Sequence, residues 1–201
     1  EEIPFEALCR MAWLARISLS ATGFYATPKI WWDRERARGR PFYYFAYGAA
    51  VAEAVIDTLT GENRITRVDL LHDVGRSLNP AVDLGQIEGG FMQGLGWLTT
   101  EELWWDGAGR LRTHAPSTYK IPTAADRPAD VRMALWAEGM CREFTIRRSK
   151  AVGEPPLMLA NAAFLALSDA VRAAGSGAYP ALDAPATPER VLAAVERVRA
   201  A

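Results

Sequence analysis

An α+β fold, with helices layered on mixed or antiparallel sheets, is what the 201-residue sequence predicts. Three observations carry this reading. Segments with the 3.6-residue spacing of helices and segments with the two-residue alternation of strands both occur. They come in groups, without the regular strand–helix succession of a doubly wound sheet. Half the residues are hydrophobic and 23% are charged, a globular balance with enough apolar material for a sizeable core. The charges also exclude function classes. Lys plus Arg total 23 against 24 Asp plus Glu, so the net charge is −1 and no basic footprint for nucleic acid exists. The longest apolar stretch, Pro155 to Leu167, is interrupted by Asn161 and falls short of the ~20 residues a membrane span needs. Two cysteines and two histidines (Cys9, Cys141, His72, His114) are too few for a disulfide framework or a protein-ligated zinc centre.

Residues 3–19 read as a helix, with Pro4 in the first turn, Phe5, Leu8, Cys9 and Ala12 on one face and Glu6 paired with Arg10 on the other. The run Asp33-Arg34-Glu35-Arg36 reads as a solvated loop. A β-rich segment follows: Phe42 to Leu59, a turn at Thr60-Gly61-Glu62-Asn63, and a return over Ile65 to Val74. In the return, Val68, Leu70, His72 and Val74 share the apolar side, which makes His72 a core or interface histidine rather than a catalytic one. Asn79-Pro80 reads as an N-cap with proline at the first helical position, opening a helix to about Leu103. Asp106-Gly107-Ala108-Gly109 is a second hairpin turn, between 103–105 and 110–112. Val131 to Trp136 and Glu143 to Arg147 are further candidate strands, and Pro155 to Ala174 is a helix closed by Gly175-Ser176-Gly177. Residues 178–201 read as a Pro- and Ala-rich linker plus a terminal helix opened by Thr187-Pro188-Glu189, with Val191, Val195 and Val198 on one face.

Two segments break local rules, and such violations tend to mark functional sites. The helix from Ala81 to Leu103 holds Gly85, Gly89, Gly90, Gly94 and Gly96, each costing up to about 1 kcal/mol relative to Ala. Missing Cβ atoms admit either another backbone or a planar ligand. Spacing leaves both open: tight helix packing, or a cofactor shelf with Gln86 and Gln93 as amide donors and acceptors. The second segment is Lys150-Ala151-Val152-Gly153-Glu154-Pro155-Pro156-Leu157. Glu is a poor N-cap, yet a carboxylate before a helix start meets the positive end of the helix dipole, which favours its charged form. That is the state a general base needs. A glutamate that merely satisfies the dipole is the equal alternative.

Ser149-Lys150-Ala151-Val152-Gly153-Glu154-Pro155-Pro156-Leu157 resembles the catalytic-glutamate motif of xanthine dehydrogenases, within the molybdenum hydroxylase family. Ser77-Leu78-Asn79-Pro80, continuing through Asp83 to Gly89 and Gln93 to Gly96, is similar to the same family's cofactor segment. Gly23-Phe24-Tyr25, Thr100-Glu101-Glu102-Leu103 and Pro116-Ser117-Thr118-Tyr119-Lys120-Ile121-Pro122 match in the same order, so the resemblance runs from about Ser18 to Ala174. It implies that residues 1–201 are the C-terminal portion of a molybdopterin-binding region, with Glu154 as general base and Gln86, Gly85 and Gly89 at the cofactor. It implies no protein ligand to the metal, because the pterin dithiolene holds the molybdenum. The activity implied is oxidation of hypoxanthine and xanthine to urate, a step of purine catabolism, with water-derived oxygen inserted at a purine carbon.

The family's glycine-rich pterin motif and its substrate-orienting residues lie upstream and are not in this sequence. Nor are the [2Fe-2S] cysteines and the FAD segment, which the family places on other domains or a separate subunit. The start at Glu1-Glu2, without an initiator Met or signal peptide, reads as a cut in a longer chain. The expected partners are therefore a purine substrate, the upstream half of the same subunit and the iron–sulfur and FAD parts. NAD⁺ is the expected acceptor, the complex is expected to be a cytoplasmic dimer, and the chain alone is expected to be inactive. Two other readings remain: a member of the same family that oxidises aldehydes or other N-heterocycles, and a non-catalytic packing fragment. For the last, the tryptophan pairs Trp31-Trp32 and Trp104-Trp105 would cover apolar interfaces.

Overall fold

Asp33-Arg34-Glu35-Arg36, expected as a solvated loop, is the turn of a hairpin in the computed structural model, which describes residues 2–200. β1 (Trp31–Asp33) pairs antiparallel with β2 (Arg38–Arg40). The Asp33 carboxylate closes the turn by accepting from the amides of Glu35 and Arg36, each at 3.1 Å. Upstream, α1 (Phe5–Leu14) is shorter than the expected 3–19. Arg16 takes a left-handed φ of 56° and its amide turns back to the Trp13 carbonyl, which ends the helix. No residue of α1 is buried, so the apolar face expected at Phe5, Leu8, Cys9 and Ala12 is not a core face here. The described residues fall into two units, one ending at Tyr43 and the other opening at Tyr44. Glu1 and Ala201, the ends of the expected 1–201 domain, lie outside the described residues.

In the second unit, β3 (Gly48–Ile56) and β4 (Asn63–His72) form the expected antiparallel hairpin, with a bulge at Glu53/Ala54. β5 (Asp130–Leu135) joins β4 in parallel, so the sheet order is β3-β4-β5. A parallel neighbour requires a crossover, and α2 (Pro80–Thr99) lies within it. The sheet is thus mixed, as expected. Its inner face packs on the helices: Val68 and Leu70 of β4 share one core with Ile87, Phe91 and Leu95 of α2 and with Ala163, Leu167 and Val171 of α3 (Asn161–Ala173). Val191, Val195 and Val198 of α4 (Pro188–Ala200) complete it. The stretch before α4 is packed as well: Leu182 and Ala186 are buried, and the Asn63 amide donates to the Ala186 carbonyl at 3.0 Å.

Four further expected elements differ. α2 stops at Thr99 rather than near Leu103, because the amides of Thr100 and Glu101 both turn back to the Gly96 carbonyl at 3.0 and 2.9 Å. The turn at Asp106–Gly109 forms, but it closes only one isolated bridge, Trp105 to Leu111. Glu143 to Arg147 is not a strand. Arg147 and Arg148 have φ of 52° and 61°, and the Arg148 guanidinium donates to the carbonyls of Cys141, Arg142 and Glu143, folding the segment into a loop with a single turn at Ile146–Arg148. Finally, Pro155–Ala160 is a 3₁₀ segment that runs into α3, not the first turns of one α-helix from Pro155.

That 3₁₀ segment divides the glycines of α2. A Cβ at Gly90 would sit 3.1 Å from the Gly153 carbonyl and 3.2 Å from Pro156 Cβ. One at Gly94 would strike the Leu157 carbonyl and lie 2.8 Å from Ala160 Cβ. At Gly85 and Gly89 nothing stands within 4 Å. Gly94→Ala should therefore destabilise by about 1–3 kcal/mol through overpacking. Gly85→Ala should stabilise by up to about 1 kcal/mol through helix propensity alone. Denaturant unfolding of the two variants checks the opposite signs.

Candidate functional site

α2 begins where its sequence says it should. The Asn79 side chain accepts from the Val82 amide at 3.4 Å, Pro80 takes the first position, and Ser77 Oγ donates to Asp83 Oδ2 at 2.5 Å. From that start the helix turns Ile87, Gly90, Phe91 and Gly94 inward and leaves Gly85, Gln86 and Gly89 exposed on the opposite side. The expected site residues of this segment thus share one open stripe, which no Cβ fills at two of its three positions.

The seat on Gly90 and Gly94 brings the 153–157 segment onto the same helix. A Cβ at Gly153 would lie 3.5 Å from Gln86 Oε1, so Gln86 and the residue preceding Glu154 are neighbours although 67 positions apart in the chain. Glu154 is exposed at the start of the 3₁₀ segment and its side chain makes no capping hydrogen bond. A carboxylate at this place is not consumed in holding the helix end. Gly85, Gln86 and Gly89 are therefore accessible on α2 with an amide that both donates and accepts, and the exposed Glu154 carboxylate follows the residue that neighbours Gln86. The bare glycine stripe admits a flat group, and the amide can satisfy a polar ring edge, so these residues fit a pterin. Among the described residues no group of three His, Cys, Asp or Glu side chains is placed to hold a metal ion.

One part of the neighbourhood left no local trace in the sequence. The Lys150 ammonium meets Asp73 Oδ2 at 2.5 Å, with side-chain exposures of 6% and 16%. Asp73 Oδ1 accepts from the Gly75 amide at 2.7 Å. The Lys150 amide donates to the Val74 carbonyl and the Ala151 amide to the Tyr44 hydroxyl, both at 2.8 Å. Lys150 lies within the quoted motif, but its partner is 77 residues away, just past the end of β4, beyond any spacing rule.

The sequence profile of the molybdopterin cofactor-binding domain matches residues 1–128. The chain belongs to this family. It is 48% identical over 194 residues to the xanthine dehydrogenase/oxidase of Rattus norvegicus, covering 94% of this chain and 14% of that protein. Among solved structures it resembles quinoline 2-oxidoreductase from Pseudomonas putida 86, with a TM-score of 0.62, 29% identity and coverage of 71% of this chain and 18% of that one. It also resembles the aldehyde oxidoreductase of Desulfovibrio desulfuricans, with a TM-score of 0.64, 26% identity and coverage of 79% and 16%. The chain thus spans about a seventh of the curated relative's length.

His72 occupies the place expected of a core histidine in this molybdopterin-binding domain: it is 1% exposed, on the buried side of β4. Among the described residues neither ring nitrogen has a hydrogen-bond partner. Burial holds its pKa below the ordinary 6.5, with the Asp73 carboxylate raising it and the Lys150 ammonium lowering it again. Between that lowered value and about 6.5, the unfolded chain binds a proton that the folded chain refuses, so stability rises with pH. It should fall as the pH drops below about 6.5, by up to about 1.4 kcal/mol per pH unit. His72→Leu should flatten that slope, as melting temperatures at about pH 5.5 and about pH 7.5 will test.

Proposed function

We propose that this chain works as part of a molybdenum hydroxylase of the xanthine dehydrogenase type, with Glu154 as general base and Gln86, Gly85 and Gly89 at the cofactor. The meeting of Gln86 with the Gly153–Glu154 segment on the open side of α2 carries the reading. When bound, molybdopterin would supply the redox acceptor for the two electrons and the hydrogen of the ring carbon–hydrogen bond that is broken as the carbon–oxygen bond forms. The chain's own residues handle binding and the proton. Gly85 and Gly89 leave room for the pterin, and the Gln86 amide donates to or accepts from its polar edge. The free Glu154 carboxylate takes a proton from the water-derived oxygen that is to be inserted, which makes that oxygen a nucleophile toward an electron-poor ring carbon. It then holds that proton for return to solvent.

Hypoxanthine and xanthine, oxidised to urate, are the proposed substrates, supported by the 48% identity to a xanthine dehydrogenase/oxidase. The same likeness extends the proposal to the rest of the complex. It adds an upstream half of the subunit, domains or a subunit with [2Fe-2S] clusters and FAD, NAD⁺ as acceptor, and a cytoplasmic dimer. No helix among the described residues is long and apolar enough to cross a membrane. An aldehyde-oxidising member of the family is the second reading, favoured by the likeness to the Desulfovibrio enzyme.

In the complete enzyme, Glu154→Gln should lower turnover at least about 10²-fold, the loss typical of a missing general base. Steady-state kinetics on hypoxanthine, xanthine and benzaldehyde read both points at once. Full activity of the variant removes Glu154 from the role, and a preference for benzaldehyde selects the second substrate class. Gly89→Val should leave the helix intact, since Val is the better helix former, while filling the open stripe. Its expected outcome is a lower molybdenum content of the purified enzyme at an unchanged melting temperature.

A further inference from the structure

We infer that Lys150, through its buried pair with Asp73, is a positioning residue that sets where the Glu154 carboxylate stands. The inference rests on the reading of Glu154 as base. Three contacts lock the segment just upstream of Glu154 onto the chain just past β4. They are the ion pair at 2.5 Å, the Lys150 amide on the Val74 carbonyl at 2.8 Å and the Arg76 amide on the Arg148 carbonyl at 3.0 Å, the last two making the bridge between Gly75 and Ser149. Gly75 makes the approach possible. It holds φ at +64°, and a Cβ there would lie 2.5 Å from the Arg148 carbonyl and 3.1 Å from the Lys150 nitrogen. Downstream, Pro156 and Leu157 sit on Gly90 and Gly94 of α2. Glu154 lies between these two anchors, and no capping bond of its own holds its side chain. The Asp73–Gly75 corner also leads, a few residues on, into α2 and Gln86. One clasp therefore sets the glutamate segment against the helix that faces it.

A buried ion pair is a weak source of stability, because two apolar side chains of similar size often do as well or better. What the charges add is direction. The ammonium meets Asp73 Oδ2, while the sister oxygen Oδ1 accepts from the Gly75 amide, so one carboxylate holds both strands of the clasp. The Lys150 ammonium also lies 5.0 Å from the centroid of the Tyr47 ring, which closes a further side of its pocket.

The test uses the complete enzyme that contains this segment. Lys150→Met takes from the part-buried Asp73 carboxylate its only ion-pair partner among the described residues, so turnover and melting temperature should fall together. In the Lys150→Met/Asp73→Asn double variant the stranded charge is gone and the melting temperature should largely return. If Lys150 positions Glu154, kcat should stay about tenfold or more below normal. KM and molybdenum content should stay within about twofold, and amide hydrogen exchange over 149–154 should quicken. Tyr44→Phe, which removes the hydroxyl that accepts from the Ala151 amide, tests the same clasp while leaving the ion pair in place. It should lower kcat about 2–5-fold and speed the same exchange.

Adding Lys150→Met to Glu154→Gln should lower kcat no further, because residues that act as a unit are not additive. Recovery of kcat along with stability in the double variant makes the pair purely structural and overturns the inference. So does an unchanged kcat in Tyr44→Phe, or a further tenfold loss on top of Glu154→Gln. In each of those outcomes Glu154 keeps its role. Full turnover of Glu154→Gln alone removes the base reading itself, and the positioning role with it.

Discussion

Two backbones in near contact organise this domain. Where Gly90 and Gly94 turn their missing side chains toward residues 153–160, the 3₁₀ segment lies directly on the barrel of α2. A β-carbon at either position would hold the two elements apart. Nearly everything of interest follows from that approach. It points α3 back across the sheet so that Ala163, Leu167 and Val171 reach the core shared with β4. It carries the Gly153–Glu154 segment to the side of the helix where Gln86 is exposed. It also accounts for two of the five glycines of the helix, Gly90 and Gly94, which isolated helix propensity disfavours.

The unit has a dry side and an open one. On the dry side, β4 supplies Val68, Leu70 and His72 to a core closed by three helices. His72 is the exception to polar satisfaction there, a buried imidazole with both nitrogens unpaired among the described residues. On the open side, the exposed face of α2 and the glutamate segment combine small residues with two polar groups. These are the residues proposed to meet the cofactor. The buried pair of Lys150 and Asp73 lies at the junction of the two sides, where the sheet ends and the path to Glu154 begins.

Local rules recovered the elements whose signals are local. Alternation over 65–74 identified β4 and placed His72 inward, Asn79-Pro80 marked the start of α2, and Val191, Val195 and Val198 marked the buried face of α4. They failed where distant groups intervene. Glu143 to Arg147 has strand-forming residues, yet the Arg148 guanidinium gathers three carbonyls and curls the segment into a loop. The helix at 3–19 is cut short by a left-handed Arg16, a conformation its sequence does not announce. Spacing could not choose between packing and ligand access for the five glycines either. Both are present, three glycines turned against protein and two toward open space.

The amino-acid order alone determined the mixed α+β character, the helix starts, the apolar strand faces and the motifs that relate the chain to molybdenum hydroxylases. Each of these is written in residues that are neighbours in the chain or share one turn or one pleat. The tertiary structure decided which residues meet: Gln86 beside Gly153, Lys150 on Asp73, and Gly94 beneath Leu157. Those contacts join positions about 60 to 80 residues apart, where no periodicity reaches. Only the packing of helix on sheet brings them within hydrogen-bonding or van der Waals distance.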